Sequence, residues 1–294
     1  MFRRVGLFLL TNFLVILTVG IILAVVMPMI GVDPSGVLGL AIVCGVFGMA
    51  GAFISLAISR WMAKRAYSIR LIQAKEQDYQ LREMYEMVAR LAQKAGLPSV
   101  PEVGIYESPE PNAFATGPSK KRSLIAFSTG LLNSMDKREV EAVAGHEVAH
   151  IANGDMVTMT LLTGVVNALV MFLARIVAIA INNFLKDDDG EGGLGPLAYF
   201  LVVMLLQTVF MFFATIPIAA FSRYREYKAD AGSAKITSAA AMANALKALA
   251  RGAQIQTKED SFAIAKISSN RKVSLWSTHP SIEDRVERLE KMRF

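Results

Sequence analysis

Four long stretches of this chain are nearly free of charge, and they restrict its fold more than any other feature. They cover residues 6–30, 37–59, 157–182 and 196–221. Each is long enough to cross a hydrocarbon core about 30 Å thick as a helix. A mean hydropathy of +0.41 and an apolar fraction of 53% agree with this. The sequence therefore predicts a mainly α-helical membrane protein with about four transmembrane helices.

The first and third stretches each carry a feature that needs explanation. Arg3 and Arg4 precede the first, as in a secretory signal peptide. That apolar run is too long and lacks a cleavage site, so a retained anchor is favoured. Arg175 lies well inside the third, where an arginine costs about 2.5 to 3.5 kcal/mol on insertion scales. We expect it to reach the interface, to meet a polar partner, or to mark a helix only half in lipid.

Basic residues are distributed unevenly around the hydrophobic stretches. The connecting loops at 31–36 and 186–193 are mainly acidic, whereas nine basic residues flank the opposite ends: Arg3, Arg4, Arg60, Lys64, Arg65, Arg70, Arg223, Arg225 and Lys228. By the positive-inside rule, the N-terminus and the hydrophilic parts are predicted to be cytosolic. Attraction to the anionic lipids of the bilayer accounts for the net charge of +6, so no nucleic-acid partner is expected.

Two of the three histidines are four residues apart, in the pattern His146-Glu147-x-x-His150. On a helix, positions i and i+4 share a face, so both imidazoles can bind one metal ion while Glu147 reaches a water molecule beside it. This is the H-E-x-x-H signature of zinc peptidases. A random chain of this length would contain it roughly once in a thousand cases. The alternative is a partly buried helix whose histidines bind backbone carbonyls.

The hydrophilic sequence around the motif predicts helices and a small antiparallel sheet. Helices are predicted from residue 61 to about 94 and at 238–250, and extended runs at 102–107, 112–117 and 123–129. Asp136 and Glu139 form a capping box that begins the motif helix, which ends near Asn153 and Gly154. We divide the chain into an N-terminal hairpin (1–60), a cytosolic catalytic part (61–156), a second hydrophobic hairpin (157–221) and a C-terminal catalytic part (222–294).

A catalytic zinc ion usually has three protein ligands, so a third must come from elsewhere in the chain. The metzincin pattern is excluded, because Met156 stands where its third histidine would be. The single cysteine, Cys44, lies in the second hydrophobic stretch and offers neither a ligand nor a disulfide. The remaining candidates are His279 and a carboxylate further along the chain.

Glu226 is the best carboxylate, just after the fourth hydrophobic stretch. Asp230 follows at i+4 on the same face, where it can accept a hydrogen bond from a ligating histidine. Alternatively, this segment is a solvated helix with local ion pairs. Because His150 precedes the third stretch and Glu226 follows the fourth, the ligands can meet only if both stretches cross the bilayer or neither does.

Taken together, these motifs resemble the HtpX-type membrane metalloproteases. That family also contains the CAAX prenyl protease and the Oma-type mitochondrial peptidases. The resemblance covers nearly the whole chain and is carried by four features: the H-E-x-x-H motif, Glu226-x-x-x-Asp230 after two further hydrophobic segments, the run from Asn112 to Gly117, and Thr278-His279-Pro280.

The resemblance implies an α+β zincin-like (gluzincin) catalytic domain with a small antiparallel sheet. One Zn²⁺ per chain would be held by His146, His150 and Glu226. Glu147 would take the proton of the attacking water. Asp230 would hydrogen-bond a ligating histidine.

Further roles are implied near the C-terminus and before the motif helix. His279 would stabilise the oxyanion, or else act as an N-cap ahead of Pro280. Arg285 is expected to help position this region. An edge strand would bind the substrate main chain, and the resemblance assigns it to Asn112, Ala113, Phe114 and Ala115. A buried strand is the alternative for that stretch.

The sequence thus predicts a multi-pass zinc endopeptidase of the bacterial inner membrane with a cytosolic active site. Its substrates would be misfolded or damaged membrane proteins and unfolded polypeptides, cleaved for quality control under stress. Chaperones or other membrane proteases are expected as partners. The alternatives are a prenyl-protein endoprotease and a non-enzymatic membrane scaffold with a structural metal site, which would need a closed set of four ligands.

Overall fold

The computed structural model describes residues 20–33, 36–187, 189–259 and 275–292. The helices are α1 (Gly20–Met29), α2 (Val37–Ala66), α3 (Tyr79–Lys94), α4 (Thr129–Ser134), α5 (Lys137–Asn153), α6 (Asp155–Phe184), α7 (Pro196–Ile236), α8 (Ala239–Glu259) and α9 (Ile282–Glu290). The strands are β1 (Arg70–Ile72), β2 (Glu102–Tyr106), β3 (Ala113–Ser119) and β4 (Arg122–Ser128). Two compact units are formed, one from Met1–Ile54 and Leu161–Thr215, the other from Ser55–Thr160 and Ile216–Phe294.

Among the described residues, α2, α6 and α7 are long and apolar enough to cross a membrane. They contain the stretches 37–59, 157–182 and 196–221, so these predictions of long apolar helices are confirmed. Most of the first stretch, residues 6–19, lies outside the described residues. Within α6, the guanidinium of Arg175 donates to the carbonyl of Met171 one turn earlier, at 3.0 Å. This is one polar partner of the kind expected for an arginine in an apolar helix.

A four-stranded sheet with the order β1-β2-β4-β3 lies in the second unit. The prediction of an antiparallel sheet is wrong for one pairing, because β2 and β4 run parallel. The reason is the position of β3, which forms a hairpin with β4 but lies beyond it, at the edge. β4 is buried along nearly its whole length and takes the interior position, whereas β3 is half-buried. A nearly continuous apolar run is typical of such an interior strand.

The helix predicted from residue 61 to about 94 is interrupted. Helix α2 ends at Ala66, and β1 then pairs antiparallel with β2. Ser68 has a φ of 51°, which no helical residue adopts. The chain becomes helical again where the side chain of Asp78 accepts hydrogen bonds from the backbone N–H groups of Gln80 and Leu81.

The motif helix α5 begins and ends as predicted. Asp136 accepts from the N–H of Glu139 at 2.8 Å, and Glu139 accepts from the N–H of Asp136 at 3.0 Å, which completes the capping box. Gly154 ends the helix in the left-handed conformation, with a φ of 74°. Every residue from Ala142 to Ile151 is buried, so the motif lies in the interior of the second unit.

Helices α5 and α7 approach each other so closely that only small residues fit between them. A Cβ atom at Gly232 of α7 would lie 2.6 Å from the Cβ of Ala149. A Cβ atom at Gly145 would lie 2.8 Å from the hydroxyl of Ser233. That hydroxyl donates to the carbonyl of Ala142 at 2.7 Å. This contact brings the first polar turns of α7 next to the histidines of α5.

Replacement of Gly232 by alanine should push the two helices apart. Overpacking alone should lower the free energy of unfolding by about 1–3 kcal/mol, as in other overpacked cores. Because alanine regains roughly 1 kcal/mol over glycine in a helix, the net fall should be up to about 2 kcal/mol. Adding Ala149→Gly should restore stability, because the methyl group has then only changed helices. Thermal unfolding of both variants in detergent measures this, and equal stability of Gly232→Ala and the unmodified protein would contradict it.

Candidate metal centre and active site

Three buried side chains of α5 and α7 converge on one point. His146, His150 and Glu226 are 8%, 8% and 4% exposed. The Nε2 atoms of the two histidines are 3.0 Å apart, and they lie 3.5 and 3.4 Å from the carboxylate oxygens of Glu226. All three donor atoms lie within 4.8 Å of one another. The cluster combines two imidazole nitrogens from one turn of α5 with one carboxylate from α7.

Each histidine also has a buried carboxylate on the opposite side of its ring. Nδ1 of His146 lies 3.0 Å from Oδ1 of Asp230, and Nδ1 of His150 lies 2.6 Å from Oδ2 of Asp155. The His150 contact is a hydrogen bond and the His146 contact is a close approach of opposite charges, and both favour a ring orientation that turns Nε2 towards the metal position. The sequence predicted a role for Asp230 but missed Asp155. The sequence feature that could have pointed to Asp155 is its position directly after Gly154, where the tight end of α5 turns the chain back towards His150.

Arg285 connects α9 to this cluster. Its guanidinium donates two hydrogen bonds to the carboxylate of Asp230, at 2.8 and 2.6 Å. Its Nη1 lies 3.7 Å from Oε2 of Glu226. Because Asp230 is only 2% exposed, this pairing keeps its charge from being buried alone. Glu226 and Asp230 therefore do not form the solvated charged face that was the alternative for this segment.

The charges around the histidines determine their protonation. Burial alone would lower the pKa of His146, but its contacts with Asp230 and Glu226 outweigh burial and raise the pKa to about 9. Burial also disfavours the charged form of His150, yet Asp155 and Glu226 raise its pKa as well. The surrounding carboxylates thus favour positive charge at the cluster, as a site for a cation requires.

Glu147 lies beside the cluster without joining it. It is 9% exposed, and burial raises the pKa of its carboxyl group. The neighbouring His146 and His150 and a backbone hydrogen bond at Ala115 of β3 oppose this shift. A raised pKa brings a carboxylate closer to the range in which it accepts and returns a proton efficiently. Glu147 is therefore suited to act as a general base.

A cavity of about 400 Å³ opens over the cluster. The predicted substrate-binding residues, Asn112, Ala113, Phe114 and Ala115, line one side of it. Apolar side chains of α8 line another, including Met242 and Leu246. The stretch 113–115 is half-buried rather than fully buried, and it belongs to the edge strand of the sheet.

His279 reaches the same cavity from the loop before α9. Its side chain is 67% exposed, and its Nδ1 lies 3.4 Å from Oε2 of Glu226. The alternative role as a helix cap is wrong, because Ser281 caps α9 by accepting a hydrogen bond from the N–H of Asp284 at 3.0 Å. His279 is thus an exposed imidazole at the rim of the cluster.

The donor set fits a catalytic zinc ion. Tetrahedral ligands about 2.0 Å from zinc are separated by about 3.3 Å. The two Nε2 atoms are 3.0 Å apart, close to this spacing, and each lies against a different oxygen of Glu226, at 3.5 Å for His146 and 3.4 Å for His150. With one donor atom taken from each residue, all three lie within 4.8 Å of one another. Two histidines with one glutamate form a known zinc-hydrolase set that leaves a position for water.

A sequence profile of peptidase family M48 matches residues 78–293 of the chain. The chain belongs to this family. The matched range includes His146, His150 and Glu226, and the long apolar helices identify this M48 member as a membrane-bound metalloprotease. The non-enzymatic scaffold is therefore not supported.

Full-length relatives agree with the M48 assignment. The chain is 44% identical over 304 residues to the protease HtpX homolog of Bacillus subtilis (strain 168), covering 99% of each chain. It is 47% identical over 292 residues to protease HtpX of Idiomarina loihiensis, covering 99% of this chain and 100% of that protein. In fold it is similar to the crystal structure of S. mikatae Ste24p, with a TM-score of 0.62 at 19% identity, covering 96% of this chain and 66% of that one.

Replacing Asp155 by asparagine should weaken metal binding. The amide cannot hold the His150 ring as a carboxylate does, and such losses lower metal affinity about 10- to 100-fold. Competition with a chelator measures the change. Glu83→Gln is the matched control, since that exposed carboxylate pairs with Lys137 outside the site. Unchanged affinity in Asp155→Asn would show that the contact does not support His150.

Proposed function

We propose that this M48 peptidase is a zinc-dependent endopeptidase of the bacterial inner membrane. It hydrolyses misfolded or damaged membrane proteins and unfolded polypeptides at a cytosolic active site, as part of quality control under stress. The observation that carries this proposal is the buried cluster of two histidines and a glutamate, with Glu147 beside it in an open cavity. Chaperones or other membrane proteases are proposed as its partners.

His146, His150 and Glu226 are proposed to hold one zinc ion per chain. When bound, zinc supplies Lewis-acid chemistry, which polarises the scissile carbonyl and makes the attacking water more acidic. Asp230 and Asp155 keep the two imidazole rings oriented for this task. A structural site would instead be closed by a fourth protein ligand.

Glu147 is proposed as the general base. Its carboxylate takes a proton from the attacking water and passes the proton to the nitrogen of the leaving amine. Burial supports this role, because it raises the pKa of Glu147 towards the range needed for both steps. The backbone hydrogen bond at Ala115 ties the base to the strand that borders the cavity.

His279 is proposed to stabilise the oxyanion that forms when the carbonyl is attacked. An exposed imidazole at the rim of the cavity can turn towards a bound substrate, and it donates a hydrogen bond where negative charge develops. His279 was also a candidate for the third ligand. Glu226 is favoured in that role, because it is buried and contacts both histidines.

The edge strand β3 is proposed to bind the substrate main chain at Asn112 to Ala115. Within the part of the chain that the structure describes, β3 pairs with β4 along one edge only, so an extended peptide can add to the other edge by β-augmentation. Two hydrogen bonds hold the segment at Asn112. The N–H of Asn112 donates to the hydroxyl of Ser128, and the N–H of Ser128 donates to the carbonyl of Asn112, both at 2.9 Å. Main-chain recognition gives a broad sequence preference, which suits damaged proteins of many sequences.

A prenyl-protein endoprotease is the second enzymatic candidate. The likeness to Ste24p, at 19% identity and over 66% of that structure, concerns the fold and does not bear on the substrate. The full-length relatives at 44–47% identity are named protease HtpX. These relatives favour the broader endopeptidase.

The variant Glu147→Gln should lose peptide cleavage but keep its metal ion. Glutamine has nearly the same shape but cannot accept the water proton, and general acid–base groups contribute about 10²- to 10⁴-fold in rate. Casein cleavage in detergent and metal content of the purified protein measure the two effects. Glu141→Gln is the matched control, because Glu141 lies on the same helix and does not line the cavity. Full activity of Glu147→Gln would exclude the proposed mechanism.

Both α6 and α7 are proposed to cross the bilayer, with the catalytic residues in the cytosol. Two variants, Asp189→Cys and Glu83→Cys, each add one cysteine and test this. The native Cys44 is buried and should remain unlabelled. An impermeant maleimide added to spheroplasts should label Asp189→Cys. It should label Glu83→Cys only after the membrane is permeabilised. Labelling of both positions from the same side would exclude a crossing hairpin.

A further inference from the structure

Arg223 lies on α7 three residues before Glu226, and its contacts reach far along the sequence. Its Nη1 donates to the carbonyl of Ser277 at 2.6 Å and to the carbonyl of Leu275 at 3.2 Å. These residues belong to the loop that precedes α9. One guanidinium group thus joins the helix of the proposed third ligand to the loop that carries His279.

The loop is fixed at both of its described ends. The hydroxyl of Ser277 donates to the carbonyl of His279 at 2.7 Å, which links the Arg223 contact to the histidine. On the far side, Ser281 caps α9, and Arg285 of that helix binds Asp230. His279 itself makes a longer contact, 3.4 Å from Glu226, and is 67% exposed.

The lengths of these contacts, and the charge of the donor in each, indicate which one holds His279 at the cavity. Hydrogen bonds from a charged donor are stronger than those between neutral groups, and the one to Ser277 is short. An exposed imidazole with one long contact is not positioned by that contact. Arg223 before His279 and α9 after it therefore both contribute to holding the loop in place.

We propose that Arg223 is a positioning residue of the peptidase. It holds the loop so that His279 faces the oxyanion, without touching the substrate or the metal ligands itself. This inference rests on the proposed function, because it assumes that His279 acts on the transition state. Its specific consequence is that Arg223 affects turnover through His279 alone.

The first test separates turnover from binding. Arg223→Ala should lower kcat at least about 10-fold while KM and zinc content remain unchanged, since loose positioning weakens an interaction made in the transition state. Arg223→Lys should recover part of kcat, because an ammonium group can still donate to a carbonyl. Lys235→Ala, which removes an exposed cation near the end of α7, is the control and should match the unmodified protein. Loss of zinc in both Arg223 variants would overturn the proposal in favour of a structural role.

A double-mutant cycle then tests whether Arg223 acts through His279. Removing an oxyanion donor lowers kcat about 10²- to 10³-fold, which is the loss expected for His279→Ala. Adding Arg223→Ala to that variant should produce no further loss, because the loop then carries nothing to position. Losses that multiply would overturn the inference.

Loop order can be measured without any activity assay. The chain has only two tryptophans, Trp61 and Trp276, and the second lies in the loop between the two carbonyls that Arg223 binds. In a Trp61→Phe background, Arg223→Ala should lower the fluorescence anisotropy of Trp276 and increase its quenching by acrylamide. Lys235→Ala should change neither signal. Unchanged fluorescence in Arg223→Ala would overturn the proposal.

The outcomes separate this inference from the proposed function. If Glu147→Gln retains full activity, the proposed mechanism fails whatever the Arg223 variants do. If Glu147→Gln is inactive and Arg223→Ala has an unchanged kcat, only the role of Arg223 fails.

Discussion

The close approach of α7 to α5 is the contact on which the metal site depends. Gly232 packs against Ala149, and the hydroxyl of Ser233 binds the carbonyl of Ala142, so no large side chain separates the two helices. Glu226 lies less than two turns earlier on α7 and can therefore reach both histidines of α5. Wider spacing would leave its short side chain away from them, and the pair of histidines would lack a third donor.

Buried charge is the second requirement of the site. Asp155, Asp230 and Glu226 are all less than 6% exposed, in a unit whose remaining interior is largely apolar. Each carboxylate contacts a histidine or Arg285, so no charge in this group is buried alone. The same polar contacts thus orient the histidines and allow the histidines and carboxylates to be buried together.

Local sequence patterns predicted the parts of the fold that depend on local forces. The apolar stretches, the capping box and the histidine spacing predicted α5, α6 and most of α7 within a few residues. Strand β1 was missed because three residues carry no periodic signal, and their extended form depends on pairing with β2. Asp155 was missed because it reaches His150 only after the left-handed turn at Gly154. Arg223 binds loop carbonyl groups that lie 52 and 54 positions further along the chain, and no local sequence pattern predicts such distant contacts.

Helix α7 continues without a break from its apolar stretch to Ile236. Glu226 is the fifth residue after Phe221, the last residue of that stretch, which corresponds to about 7.5 Å along a helix axis. In the proposed topology, in which α7 crosses the bilayer, the rise of this single helix would set the distance of Glu226 from the end of the apolar stretch. One continuous helix would then determine how close to the bilayer a peptide must lie to reach the cluster.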